Sequence, residues 1–219
     1  MARALIEAVE QADSAAALLG ATAGLARHLA GAASPEPEAI TALVQVLGFN
    51  NPGAAVAAVD GLIACGQAAV EPLLANLDAH NYGARAWAVR ALAGIGDVRG
   101  LELLEQALGG DIGPSVRRAA ARGLGQLRTA GLAEQPRQQV RERALAALEA
   151  AAADGEWVVR YAVVVGLESL ALDLDPAGDG PALRERTRCV LALLSAPEED
   201  TPVVKLRARQ ALARTAAPI

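Results

Sequence analysis

Arg90, Arg118 and Arg122 stand at spacings that put them on the same face of successive helical segments, where a guanidinium grips a carboxylate through two parallel hydrogen bonds. A wheel of about 100° per residue places other groups at the same position, opposite the apolar stripe. Val56, Asp60 and Ala64 form one set and Ala86, Arg90 and Gly94 the next. Arg118, Arg122 and Gln126 follow, then Tyr161, Val165 and Ser169, with Trp87 and Trp157 near the edges of these faces. One carboxylate, three arginines, a phenol and flanking indoles over small residues match a flat, apolar ligand that carries carboxylates, because indoles stack on π systems while arginine holds the acid groups. The plainer alternative is that Asp60 pairs with Arg90 across adjacent helices while Arg118 and Arg122 are solvated.

The elements that must position these groups repeat. In the segment Asn81 to Leu127, superposing the two halves lays Arg85 on Arg117, Ala88 on Ala120, Leu92 on Leu124 and Ile95 on Leu127. The same helix recurs as PGAAVAAVDGLIACG, EWVVRYAVVVGLESL and PVVKLRARQALAR. Its leucine falls at Leu62, Leu92, Leu124, Leu167 and Leu212, at intervals of 30, 32, 43 and 45 residues. Periods of this length belong to solenoids, in which no unit buries its apolar face alone. Ala88, Leu92 and Ile95 make one stripe of a 3.6-residue period. Helices are predicted at about 3–12, 14–31, 37–48, 53–65, 67–78, 83–95, 98–108, 115–127, 136–153, 157–170, 182–195 and 202–214. Asp13-Ser14 offers an N-cap oxygen. Ser34 to Glu38 and Asn50 to Gly53 read as turns, and Gly96-Asp97 and Gly109 to Asp111 as glycine helix ends. Asp173 to Pro181 is the longest predicted loop. No strand alternation occurs, so the fold class is all-α, a solenoid of about five to six helix pairs in a single domain, 1–219.

Composition excludes several functions. With 53% hydrophobic residues in 219 the chain can build a continuous core, and aromatics at only 2% suit closely packed helices. A net charge of −5 opposes nucleic-acid binding, although basic residues are nearly all arginine, Lys205 being the sole lysine. Cys65 and Cys189 are too few for a disulfide framework or a zinc motif, and both fall in apolar helical patterns that predict core packing. No secretory leader and no uninterrupted apolar run of about 18 residues are present, which predicts a soluble cytoplasmic protein with no membrane contact. There is no phosphate loop and no nucleophile elbow, and GIGDVRG follows a helix rather than a strand. His28 and His80 are followed by Leu29 and Asn81, so the His-Glu pairs of the HEAT-like deoxyhypusine hydroxylases, and with them a metal site, are not expected. His80 at its turn remains a candidate acid–base residue.

Acids precede bases by six residues at Asp111 and Arg117, Asp154 and Arg160, and Glu199 and Lys205. This spacing is similar to that of HEAT repeats, in which turn acids and second-helix bases form a ladder. The resemblance implies structural roles for Arg85, Arg117, Arg160 and Lys205, and makes these helices the lining of a concave groove.

A narrower likeness covers roughly residues 5–215. LIEAVEQADSAAALL, the run from Val46 to Asp78, NYGARAWAVRALAGIGDVRGLELL and SVRRAAARGLG together resemble the HEAT-like bilin lyases of phycobilisomes, specifically the F-type subunit family of the phycocyanin α-subunit phycocyanobilin lyase. The cluster Tyr82, Gly83, Arg85 and Trp87 is the more specific part; the VRxxAAxxLG pattern is common to many HEAT-like proteins. The resemblance implies a lyase, active with an E-type partner subunit, that joins phycocyanobilin by a thioether bond to a cysteine of the apo-phycocyanin α-subunit and can also remove or transfer it. It implies no metal, no nucleotide and no permanently bound cofactor, the bilin being substrate. It further implies that Arg90, Arg118 and Arg122 hold the two propionates, that Tyr82, Trp87 and Tyr161 stack on pyrrole rings, and that Asp60, facing the pyrrole N–H groups, is the catalytic residue. The competing expectation is a non-enzymatic adaptor or bilin-binding chaperone, since solenoids are most often binding surfaces.

Overall fold

Ser14, Asn51 and Asn81 open three helices by the same chemistry. Each side-chain oxygen accepts the N–H three residues on, from Ala17 at 3.2 Å, Ala54 at 3.1 Å and Ala84 at 3.0 Å. Proline follows the Asn51 cap at Pro52 and opens three other helices, at Pro37, Pro114 and Pro202, where its missing N–H costs no helical hydrogen bond. In the computed structural model, which describes residues 1–76, 81–174 and 180–216, these signals produce helices only, with no strand among the described residues.

The chain divides into two compact units, Met1–Gly100 and Leu101–Ile219. The first holds α1 (Ala2–Glu10), α2 (Ala15–Ala30), α3 (Pro37–Val46), α4 (Pro52–Cys65), α5 (Val70–Ala75) and α6 (Tyr82–Ile95). The second holds α7 (Leu101–Gly110), α8 (Pro114–Leu124), α9 (Glu134–Ala150), α10 (Trp157–Asp173), α11 (Gly180–Ser195) and α12 (Pro202–Thr215). Each unit is three helix pairs in two layers. In the first, α2, α4 and α6 stack in sequence and α1, α3 and α5 back them; in the second, α8, α10 and α12 stack over α7, α9 and α11. This is the solenoid of HEAT-like pairs that the periodicity predicts.

The registered leucine does most of the burying. Leu62, Leu92, Leu124 and Leu167 are sealed from solvent, while Leu212 on the terminal helix is half-buried and Val204, Ala208 and Ala211 take its place. Each fully buried leucine contributes about 1.5–3 kcal/mol. The position just before it is always small and buried: Gly61, Ala91, Gly123, Gly166 and Ala211. The reason is visible at Gly166, where an added Cβ would sit 2.4 Å from the carbonyl oxygen of Ala121 on α8. Small residues there let neighbouring backbones of one layer touch.

Two boundaries differ from expectation. α7 does end at Gly110, within the predicted Gly109 to Asp111, but neither glycine takes the positive φ of the usual glycine end. Gly96 does adopt the left-handed cap, at φ 69. The helix predicted at 67–78 begins as a 3-10 turn, Gly66–Ala69, and becomes α-helical only from Val70. Of the predicted loop 173–181, residues 175–179 lie outside the described residues, as does His80. The stretch Pro52–Ala75 is long and apolar enough to cross a membrane by length and composition alone, with a mean hydropathy of 1.5. It is two helices broken at Gly66, where φ is 60, and it carries Asp60 and Glu71.

Candidate functional site

Arg117 and Arg118 are neighbours on α8 with opposite fates, and the contrast defines the site. Arg117 Nε donates to Asp154 Oδ2 at 2.7 Å and Nη2 to Oδ1 at 3.0 Å, while Nη1 donates to the Asp111 carbonyl at 2.8 Å. One repeat later Arg160 does the same with Glu199, at 2.9 and 2.7 Å, and with the Asp154 carbonyl at 2.9 Å. The carboxylates also brace their own turns: Asp111, Asp154 and Glu199 accept the N–H two residues on, from Gly113, Glu156 and Thr201. Thus the six-residue acid–base spacing becomes a ladder in which Arg117 and Arg160 each bind the acid of the following repeat. Arg85, expected in the same ladder, makes no ion pair among the described residues, and Lys205 donates to the Pro197 carbonyl at 3.4 Å.

The ladder groups are electrostatically committed. Hydrogen bonding to Asp154 raises the Arg117 pKa, and that to Glu199 raises the Arg160 pKa. Burial opposes ionisation of Asp154, yet the hydrogen bonds from Arg117 and the Glu156 N–H outweigh it and hold the carboxyl below its usual range. Arg160 lowers Glu199 in the same way, with burial opposing. These side chains hold the fold and are unavailable to a ligand.

Arg118 and Arg122, by contrast, are exposed and make no ion pair or hydrogen bond among the described residues. They stand one turn apart on α8, and the helix packed beside them, α10, presents Tyr161 and Val165, both half-buried, in the same register. Trp157 starts α10 one turn before Tyr161 and is 47% exposed. The wheel set it at an edge, but its four-residue spacing from Tyr161 puts it at the head of that column.

In the first unit, Asp60 is exposed on α4, without an ion-pair partner among the described residues. Arg90 on the adjacent α6 is also exposed, and its guanidinium lies over the Trp87 ring, 5.7 Å from the centroid. The Asp60–Arg90 ion pair of the plainer reading therefore does not form. Tyr82, 46% exposed, follows the Asn81 cap at the start of α6. The predicted residues thus fall into two groups: Asp60, Tyr82, Trp87 and Arg90 in the first unit, and Arg118, Arg122 and Tyr161 in the second.

The structure corrects the reading of one cysteine. Cys65 is buried, and burial raises its thiol pKa, as core packing requires. Cys189 is exposed, because α11 buries Leu183, Thr187, Leu191 and Leu194 and position 189 faces away from that stripe. Its Sγ lies 3.7 Å from Glu185 Oε1. His28 has a carboxylate neighbour after all, Glu36 at 3.5 Å, eight residues away rather than adjacent. No group of three metal-binding side chains occurs among the described residues.

Sequence reasoning also missed the arginines of the other layer. Arg143 pairs with Glu105 and Arg186 with Glu149, linking α9 to α7 and α11 to α9. Glu168, buried on α10, is held by Arg207 and Arg214 of α12. No local motif marks these pairs, since the partners lie far apart in the chain.

Comparison with known proteins agrees with this geometry. A family model described as HEAT repeats matches residues 70–168. The phycocyanin alpha phycocyanobilin lyase CpcF of Synechocystis is 54% identical over 167 residues, which is 76% of this chain and 75% of that one. The phycocyanobilin lyase subunit beta of Thermosynechococcus vestitus is 46% identical over 212 residues, 96% of this chain and 94% of its own. Among solved structures, a chain in the complex of CpcE and CpcF of phycocyanin lyase from Nostoc matches with a TM-score of 0.72 at 39% identity, covering 80% of this chain and 99% of that chain. With solenoid, ladder and relatives in agreement, the chain belongs to the HEAT-repeat family of phycocyanobilin lyase subunits, on the F-type side.

Proposed function

We propose that this chain is the F-type subunit of a two-chain lyase that joins phycocyanobilin by a thioether bond to a cysteine of the phycocyanin α-subunit, and can reverse or transfer that bond. The observation that carries the reading is the pair Arg118 and Arg122, exposed one turn apart on α8 with no ion pair or hydrogen bond among the described residues, beside Trp157 and Tyr161 of α10. A bilin is a flat, conjugated molecule with two propionates, and this register offers it cations beside aromatic rings.

The chemistry requires little from the protein's own nucleophiles. The acceptor thiolate adds to the A-ring ethylidene, forming the C–S bond; the electrons of that double bond move into the conjugated system, and a proton is taken up. The subunit contributes by orienting the bilin against the thiol and favouring that protonation. Within the second unit Arg118 and Arg122 are assigned to the propionates and Tyr161 to the rings; within the first, Arg90 is assigned to a carboxylate and Tyr82 and Trp87 to ring contacts. Asp60, an exposed carboxylate with no ion-pair partner among the described residues, is assigned to the pyrrole N–H groups and the proton. The bilin is substrate, and the assignment includes no permanent cofactor or metal. Residues 1–219 are read as one repeat domain, working in the cytoplasm without nucleic acid or membrane.

The assay combines the purified chain, an E-type partner, phycocyanobilin and apo-phycocyanin α-subunit, and scores a covalent, red-fluorescent adduct. Adduct formation that depends on both subunits supports the reading. Binding of bilin or acceptor with no covalent product, under conditions where a known two-subunit lyase works, assigns the chain instead to an adaptor or chaperone role.

A further inference from the structure

The ladder sets the register of the second unit, and the register arranges its exposed residues in rows. Because Arg117, Arg160 and Lys205 are equivalent, Arg118, Tyr161 and Leu206 form one row across the stacked helices α8, α10 and α12. Arg122, Val165 and Gln210 form the next. An added Cβ at Gly166 would meet Ala121 and one at Gly125 would meet Gly166, so Gly166 packs between them, opposite its equivalent Gly123, in agreement with this alignment. The rows are polarised: two unpaired guanidinia on α8, Trp157 and Tyr161 on α10, and Leu206, 69% exposed, on α12.

Two facts separate this face from an ordinary solvated one. Four exposed arginines elsewhere on the unit's helices are held by acids, Arg143 by Glu105, Arg186 by Glu149, Arg188 by Glu185 and Arg214 by Glu168, while Arg209 reaches the Ser195 carbonyl at 3.5 Å. The rows themselves hold no acid, so nothing within them competes for Arg118 and Arg122. Residues one turn apart have Cβ atoms about 5–6 Å apart, which suits two carboxylates carried by one molecule. Stacked helices lie about 8–10 Å apart, so the ring platform and the apolar end follow at successive steps of that size.

We propose that the second unit binds the tetrapyrrole in one orientation, across α8, α10 and α12: both propionates on Arg118 and Arg122, the conjugated plane against Tyr161 and Trp157, and a carboxylate-free terminal ring at Leu206. This rests on the bilin reading above and adds Trp157 and Leu206 to the site, with a fixed polarity. This placement separates the edge of the bilin that carries the propionates from a terminal ring and its substituents.

Titration of the full chain, alone and with its E-type partner, with phycocyanobilin and with its dimethyl ester tests this, reading the circular dichroism induced in the bilin. Arg118→Gln/Arg122→Gln should weaken binding of the free acid by about tenfold or more and leave the ester almost unchanged. Trp157→Ala should weaken both probes equally, by about fivefold, with Trp157→Phe restoring most of the loss. Leu206→Glu should weaken both, while Leu206→Met should not. Far-ultraviolet circular dichroism confirms that each variant stays helical. Wild-type binding of both probes by Trp157→Ala and Leu206→Glu, or an equal loss of acid and ester in the double arginine variant, overturns the orientation while leaving a bilin-binding chain. If wild type binds neither probe, alone or with its partner, the bilin reading fails with it.

Discussion

Replacing Arg117 by Gln should destabilise the protein, whereas the same change at Arg118 should not. Arg117 makes a bidentate pair with Asp154 at 2.7 and 3.0 Å and a third bond to the Asp111 carbonyl, with side-chain exposures of 17% for the arginine and 11% for the aspartate. Glutamine cannot span that distance as a charged fork, so Asp154 would keep only the Glu156 N–H at 2.9 Å. Breaking a fully buried ion pair costs about 3–5 kcal/mol, and the residual exposure here brings the expectation to about 2–4 kcal/mol. For a chain of this size 1 kcal/mol shifts Tm by about 2–4 °C, so a loss of roughly 4–16 °C is expected. Arg118→Gln removes no partner and should stay within about 0.5 kcal/mol. Thermal unfolding followed by circular dichroism at neutral pH measures both, and Asp154→Asn should not add its full effect to Arg117→Gln. Equal melting of the two arginine variants would refute the division between ladder and ligand arginines.

Three further outcomes follow from the same geometry. Gly166→Ala should lower stability by about 1–3 kcal/mol or more in chemical denaturation, because the new methyl meets the Ala121 carbonyl oxygen at 2.4 Å and neither backbone can yield cheaply. Asp154 and Glu199 have folded pKa values below their unfolded ones, so their contribution is complete above the unfolded values, near pH 4, and is lost as pH falls through the folded values. Melting temperature should therefore change little from pH 7 to about 5 and drop below about pH 4, with a smaller acid-induced drop in Arg117→Gln; an identical drop in that variant would show that other groups govern the transition. Co-expression with an E-type chain should yield a stable heteromer, checked by size-exclusion chromatography with light scattering, and full lyase activity of the isolated chain would contradict the subunit reading.

Much of the fold is legible in the sequence because helical solenoids advertise a period. The registered leucines, the Ser14 cap and the turns at Ser34 to Glu38 and Asn50 to Gly53 act locally, and the helices appear where they predict. The ladder is half legible: the spacing from Asp154 to Arg160 is visible, but that Arg117 reaches the acid of the next repeat requires the stacking of α10 on α8. Pairs such as Arg143 with Glu105 leave no local trace at all. Cys189 was misleading because Val190, Leu191, Leu193 and Leu194 surround it with apolar residues, while the buried stripe skips its position. For the candidate site, exposure of Arg118 and Arg122 follows from the wheel. Their lack of partners does not, because it depends on where every carboxylate of neighbouring helices lands. The stacking of Arg90 on Trp87 follows from their three-residue separation, which brings side chains together on one helix.

The central claim is that the unpaired arginine register holds the bilin for transfer. Its most direct test is the rate of covalent phycocyanobilin attachment to apo-phycocyanin α-subunit by the two-subunit enzyme carrying, one at a time, Arg118→Gln and Arg122→Gln. Losing charge-assisted bonds to a propionate costs about 1.5–3 kcal/mol each, so each variant should be roughly ten- to a hundredfold slower at limiting bilin, with helix content and partner binding unchanged. Attachment at the wild-type rate by both variants would contradict the account and place the bilin on another surface.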